Sequence, residues 1–121
     1  MPAISVLMSA YNAEKYISES IESILNQTFN DFEFIIINDG STDNTEKIIK
    51  SYNDKRIKYI SQENSGLSKS LNKGIRIANG TYIARLDADD VSYPERLEEQ
   101  CKFMENNPTY VVCGSYADVI D

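Results

Sequence analysis

The chain of 121 residues contains no histidine. Imidazole is therefore excluded as a general base and as a metal ligand. Cysteine is nearly absent as well. Cys101 and Cys113 are the only two, they stand in apolar contexts, and they lack metal-ligand spacing. Both read as reduced core thiols. Positive charge is scarce, since 12 basic against 19 acidic residues leave a formal net charge of −7. That balance opposes a nucleic-acid backbone or an anionic membrane as the main partner. It also means that a phosphate ligand needs local help from a cation. The phosphate-cradling patterns GxxxxGK[ST] and GxGxxG do not occur. No apolar run is long enough to span a bilayer, and the N-terminus has no basic flank before an apolar stretch. The expected location is the cytoplasm, with any membrane association coming from regions outside this chain.

What is present describes an ordinary globular domain. Hydrophobic residues make up 41% and charged residues 26%, and the length suits one domain with a real core. Short apolar runs alternate with helical patterns. "ISVLMSA" (Ile4 to Ala10) reads as a buried strand, and Glu14 to Gln27 places Ile17, Ile21, Ile24 and Leu25 on one helical face. "FEFIIIN" (Phe32 to Asn38) is a second strand. Ser41 is the N-cap candidate of a helix whose inner face is Ile48, Ile49 and Tyr52. Ile57 to Ser61 is a third strand. Leu67, Leu71, Ile75 and Ala78 mark a third helix, which Gly80 is expected to end. Thr81 to Leu86 is the fourth strand. Pro94 suits a first helical position ahead of Leu97, Cys101 and Met104, and Tyr110 to Cys113 reads as a fifth strand.

Strand then helix, repeated four times, predicts an α/β fold: a Rossmann-like, mostly parallel sheet with helices on both faces. Ligands of such sheets collect at the carboxyl ends of the strands. The informative segments are then the strand exits "AYNAE", "NDGSTD", "SQENSGLSKS" and "DADDVSYP". In the last, Asp87 and Asp89 stand two apart, so in extended backbone their carboxylates point the same way. They suit either a solvated acidic turn or a hard divalent cation such as Mg²⁺ or Mn²⁺. Asp90 is a helix cap or an outer partner. Asp39 is either a turn residue before Gly40 or an acceptor for a base N–H or a ribose hydroxyl. Tyr11 offers packing or a stacking face, and Lys69 is a solvated lysine or a phosphate contact. The helix that starts near Gly66 presents free N–H groups.

Taken together, "ISVLMSAYNAEKYISESIESILNQTFNDFEFIIINDGSTDNT" followed by "ENSGLSKSLNKGIRIANGTYIARLDADDVSYPERLEEQ" resembles the amino-terminal half of glycosyltransferase family 2. "ARLDADD" with the following P-x-R-L-x-x-Q is similar to bacterial enzymes that build surface polysaccharides. The resemblance implies a GT-A nucleotide-binding sandwich and a nucleotide-sugar donor, most often a UDP-sugar. It implies Mn²⁺ or Mg²⁺ on the diphosphate, and inverting hexosyl transfer to a glycan or lipid-linked acceptor. By the same resemblance Ala10, Tyr11 and Asn12 line the nucleobase pocket and Asp39 bonds the pyrimidine edge. Asn64, Gly66 and Lys69 flank the base and phosphates. Asp87 contacts the ribose, and Asp89, with Asp87, holds the metal.

Two departures qualify the match. Leu71 stands where many members carry arginine, so a phosphate contact from that position is not expected. The family's acidic general base lies in the second half of the domain, and nothing here matches it. Asp118 and Asp121 are acidic without the matching context, so no catalytic residue is assigned. The expectation is the donor-binding part of a transferase, cut short at its C-terminus and inactive in isolation. Two rivals carry weaker signals. A sugar nucleotidyltransferase wants Gly and Arg after its first strand, and "SAYNAEKY" has neither. A non-catalytic receiver-type module wants acids after its first and third strands, whereas here they follow the second and fourth.

Overall fold

The computed structural model describes residues 2–107. The expected strand at Tyr110 to Cys113, and with it Cys113, Asp118 and Asp121, lies outside them. Eight elements alternate: β1 (Ile4–Ala10), α1 (Ile17–Leu25), β2 (Phe32–Asp39), α2 (Thr45–Lys50), β3 (Ile57–Gln62), α3 (Leu67–Ile77), β4 (Tyr82–Arg85) and α4 (Arg96–Asn106). The sheet order is β3-β2-β1-β4, and every pairing is parallel. A strand in the middle of such a sheet is covered on both faces, so it reads as a continuous apolar run and not as an alternation. β2 shows this, with all eight residues buried.

The two faces carry separate cores. Val6, Met8, Phe34 and Ile36 pack with Ile17, Ile21 and Ile24 of α1, Ile49 of α2 and Leu97 of α4. On the other face Leu7, Ile35 and Ile37 meet Leu71, Ile77 and Ala78. Burying one such Ile or Phe contributes about 1.5–3 kcal/mol.

The helix borders differ from those expected, each for a local reason. α1 begins at Ile17, because the Ala13 and Glu14 N–H groups bond to Thr45 and Asp43 and hold residues 13–16 as a turn. Ser41 is not an N-cap: α2 starts at Thr45, and the Ser41 hydroxyl instead accepts the Asn12 N–H at 3.0 Å. α3 ends at Ile77, so Gly80 does not terminate it; the Gly80 N–H donates to Ser5 Oγ at 2.7 Å. Pro94 precedes the first turn of α4, and its carbonyl accepts the Thr28 N–H at 2.9 Å. The inner face of α3 is rotated from the expected stripe. Ser70 and Gly74 are buried, while Leu67 and Ile75 are each 50% exposed. Gly74 sets this rotation: a Cβ there would lie 2.1 Å from Leu7 Cδ1, so the helix comes closest to β1 where it has no side chain. Cys101 is half-buried and unpaired, in keeping with a reduced thiol.

At the edge opposite the strand exits, Glu33 ties three strands to the turn before β4. Its buried carboxylate accepts bonds from Ser5 Oγ and Lys58 Nζ, and from the Asn79 N–H at 2.6 Å. Burial pushes this carboxyl up, but the bonds from Lys58, Ser5 and Asn79 outweigh it and hold it below the ordinary value of 4.5. A carboxyl depressed in the folded state stabilises above its unfolded value and loses that contribution as pH falls through the folded one. Glu33→Gln should cost about 1–3 kcal/mol at neutral pH by leaving buried partners unmatched. Urea unfolding across acid pH should show the gap between parent and variant closing below about pH 4.5; a gap independent of pH would contradict this role.

Candidate functional site

Four parallel strands deliver four loops to one edge of the sheet. The strand order reverses between β1 and β4, so the crevice lies between the loop at Tyr11 and the loop at Asp87. Asp39 leaves β2, one strand away from that reversal.

The β4 exit carries the acidic cluster. Leu86 and Ala88 are buried while Asp87 and Asp89 are exposed, so alternate residues do face the same way. The backbone then turns, with the Asp90 N–H donating to the Asp87 carbonyl at 3.0 Å. That turn brings in the third acid: Asp87, Asp89 and Asp90 each offer a carboxylate oxygen within 4.8 Å of the others. Asp90 is therefore a member of the cluster and not a cap at its margin. Partial burial, and then the charges of Asp87 and Asp89, push the Asp90 carboxyl above its ordinary value. Like charges this close oppose one another, and a cation would relieve that. Arg85 reaches Asp87 Oδ1 at 3.1 Å, an exposed pair of small worth.

Asp39 faces α3, with only 4% of its surface exposed. Oδ1 accepts Gln62 Nε2 and the Ser65 N–H, each at 2.8 Å, and Oδ2 accepts the Gly66 N–H at 3.0 Å. Burial raises this carboxyl, but those bonds outweigh it and leave it below the ordinary aspartate value. Asp39 is thereby ionised at neutral pH and caps the loop before α3. The Ser70 hydroxyl is a fourth group that favours the ionised carboxylate. Gly66 has φ +95, which turns its N–H toward Asp39, and Gly40 has φ +75 with Asn64 against it.

Asn12 and Asn64 are likewise committed to protein partners. Asn12 has φ +47, and its Oδ1 accepts the Thr42 N–H at 2.8 Å. Asn64 Nδ2 donates to the Asp39 carbonyl at 3.0 Å. Asp43 completes the link between the first two exits, accepting the Thr45 N–H at 2.9 Å and the Glu14 N–H at 3.3 Å. Ala10 is buried beneath this lattice. Tyr11 is 53% exposed, and Lys69 is exposed in the first turn of α3. Leu71 packs into the core beside Leu7, so it offers nothing to a phosphate.

Sequence reasoning missed the supports of these loops. Asp43 and Thr45 bind backbone of the first exit, the Thr42 N–H binds the Asn12 side chain, Gln62 binds Asp39, and Ser20, Ser23 and Gln27 bind the acidic loop. A signal existed for the last group: polar residues spaced i, i+3, i+7 beside the apolar stripe of α1.

Residues 5–121 match the family described as glycosyl transferase family 2. A glycosyltransferase of Methanocaldococcus jannaschii is 51% identical over 125 residues, which take in 99% of this chain and 43% of that protein. Another, of Haemophilus influenzae, is 48% identical over 124 residues, or 98% of this chain and 38% of that one. The chain thus spans well under half the length of both relatives. Among solved structures, S. aureus TarS 1-349 in complex with UDP-GlcNAc aligns with a TM-score of 0.83 and 33% identity, over 87% of this chain and 32% of that chain.

The loop lattice makes a local prediction. Asp39→Ala removes a charged acceptor shared by two backbone N–H groups, a loss of about 1.5–3 kcal/mol. Amide hydrogen exchange at Ser65 and Gly66 should speed up by at least about tenfold, while amides of β1 stay protected. Unchanged exchange at both positions would mean that Asp39 does not hold this loop.

Proposed function

The chain belongs to glycosyl transferase family 2, and on that premise we propose that residues 1–121 form its donor-binding part, which takes a UDP-sugar with Mn²⁺ or Mg²⁺ across the four strand exits. The observation that carries this reading is the convergence of an exposed aromatic, a nearly buried ionised Asp39 and a cluster of three carboxylates on one edge of the sheet. TarS, the 33% identical neighbour, is a protein solved with UDP-GlcNAc and with UDP, which supports a uridine nucleotide over other donors.

In this reading Tyr11 stacks on the base, above Ala10 and beside Asn12. Asp39 accepts the pyrimidine N–H. Gly66 and Asn64 shape the loop beside it, and Lys69 approaches the diphosphate. Asp87 takes the ribose and, with Asp89, the cation. An all-oxygen donor set fits a hard divalent ion, which wants carboxylates and completes its shell from phosphate and water. Bound there, such an ion supplies Lewis-acid stabilisation to the leaving diphosphate. The acidic surface otherwise lacks the positive charge that a diphosphate requires.

For the protein as a whole we propose inverting transfer of a hexose to a glycan or lipid-linked acceptor in surface polysaccharide assembly, on the cytoplasmic side. The acceptor oxygen forms the new bond to the anomeric carbon as the bond to the diphosphate breaks. The acceptor proton passes to a base that we do not assign among these residues. No described helix is long and apolar enough to cross a membrane.

The experiment is calorimetric titration of UDP with and without Mn²⁺. Manganese should strengthen UDP binding to the parent by tenfold or more, about 1.4 kcal/mol. In Asp89→Ala that gain should vanish, with metal-free UDP affinity unchanged. An equal manganese gain in both proteins would remove Asp89 from the metal site.

A further inference from the structure

The acidic loop is held from beneath by one side of α1. Ser20 is 0% exposed, and its hydroxyl donates to the Ala88 carbonyl at 2.9 Å, on the residue between Asp87 and Asp89. Ser23 Oγ accepts the Ser92 N–H at 3.0 Å and donates to the Ser20 carbonyl at 2.7 Å. Gln27, just past the helix end and 4% exposed, donates to the Tyr93 carbonyl at 2.6 Å and accepts the Leu97 N–H at 3.0 Å. Ser20 is buried on α1 with Ile17, Ile21 and Ile24, and a buried hydroxyl or amide on this side of the helix must have a partner. From the other flank Arg96 reaches the Arg85 carbonyl at 2.8 Å and Ser92 Oγ at 3.0 Å. All of these contacts grip the loop away from its carboxylates, which stay exposed.

We propose that Ser20, Ser23 and Gln27 are positioning residues for the divalent cation: they fix the backbone of residues 87–93 so that the carboxylates of Asp87 and Asp89 converge before the ion arrives. This rests on the reading of Asp89 as a metal ligand. The physical case is preorganisation. Three like charges repel, and a loop free to relax would splay them apart. Anchoring the backbone between the two aspartates from inside the core prevents that relaxation without touching the ligand atoms. Residues in this relation to metal ligands commonly change affinity by about 10–100-fold when removed.

The test uses the full chain with UDP present and reads free Mn²⁺ by electron paramagnetic resonance. Ser20→Ala and Ser23→Ala should each weaken Mn²⁺ binding by about tenfold, with metal-free UDP affinity equal to the parent's. Ser23→Thr keeps the hydroxyl in a rotamer that helical threonine adopts, and should restore binding. Ser23 is only half-buried, so its variants keep the test intact if Ser20→Ala does not fold. Ile49→Val on α2 serves as a control that costs stability elsewhere, and it should leave Mn²⁺ affinity unchanged. If Asp89→Ala weakens Mn²⁺ and the serine variants do not, the positioning role is overturned and the metal site stands. The positioning role is equally overturned if Ile49→Val weakens Mn²⁺ as much as they do. If Asp89→Ala itself leaves Mn²⁺ binding unchanged, the metal reading falls and this inference with it.

Discussion

Parallel pairing of β1 with its two neighbours is the constraint from which the rest follows. A parallel pair cannot be closed by a tight hairpin, so each strand must be followed by a crossover, here a helix, that returns the chain to the starting edge. With three such crossovers every strand exit falls on one side of the molecule and every strand start on the other. The two edges have been put to different uses. At the starts, Glu33 with Ser5, Lys58 and Asn79 makes a closed polar knot whose groups all have partners. At the exits, the loops leave the ladder with their backbone groups unpaired and must find partners among themselves.

They find them by cross-bracing. Asn12 and Asp43 join the first two exits, Asp39 joins the second to the third, and α1 carries the fourth. Side chains that sequence alone offers as ligands are therefore divided into two kinds. Asn12, Asn64 and most of Asp39 are committed to the scaffold, while Tyr11, Lys69, Asp87 and Asp89 face outward. The division is physically sensible, because a weakly basic, acid-rich surface gains most by fixing its carboxylates in place and letting a cation bring the charge. It also explains how a buried aspartate persists at a strand exit: Asp39 accepts two backbone N–H bonds and an amide, which offset its desolvation.

The two central strands were legible in the sequence because parallel burial writes itself as apolar runs, as in "ISVLMSA" and "FEFIIIN", and the second continues one residue further, to Asp39. The placing of Asp39 at the same edge as Asp87, Asp89 and Asp90 followed from alternation alone, and the family followed from the order of the motifs. What sequence could not give were features decided by distant partners. Ser41 has the chemistry of a cap but is taken by Asn12, 29 residues away. Leu67 and Ile75 look like core residues but are turned outward, because Gly74 sets where α3 touches β1. Ser20 carries no sequence signal of its own for its partner, the carbonyl of Ala88, 68 residues on. In each case the partner lies far away in sequence, and local propensity does not name it.

The central claim is that the strand exits, and no other surface, receive a nucleotide diphosphate with its cation. Paramagnetic broadening by Mn²⁺ in the amide NMR spectrum, recorded with UDP bound, tests it most directly. The effect falls off steeply with distance from the ion, so it maps the site without a substitution. The account predicts that signals of residues 87–91 vanish first, that those of Tyr11 and Asn12 across the crevice broaden next, and that Asn79 and Gly80 at the far edge stay sharp. Broadening centred on the outer surface of α2, or spread evenly over the acidic surface, would contradict it.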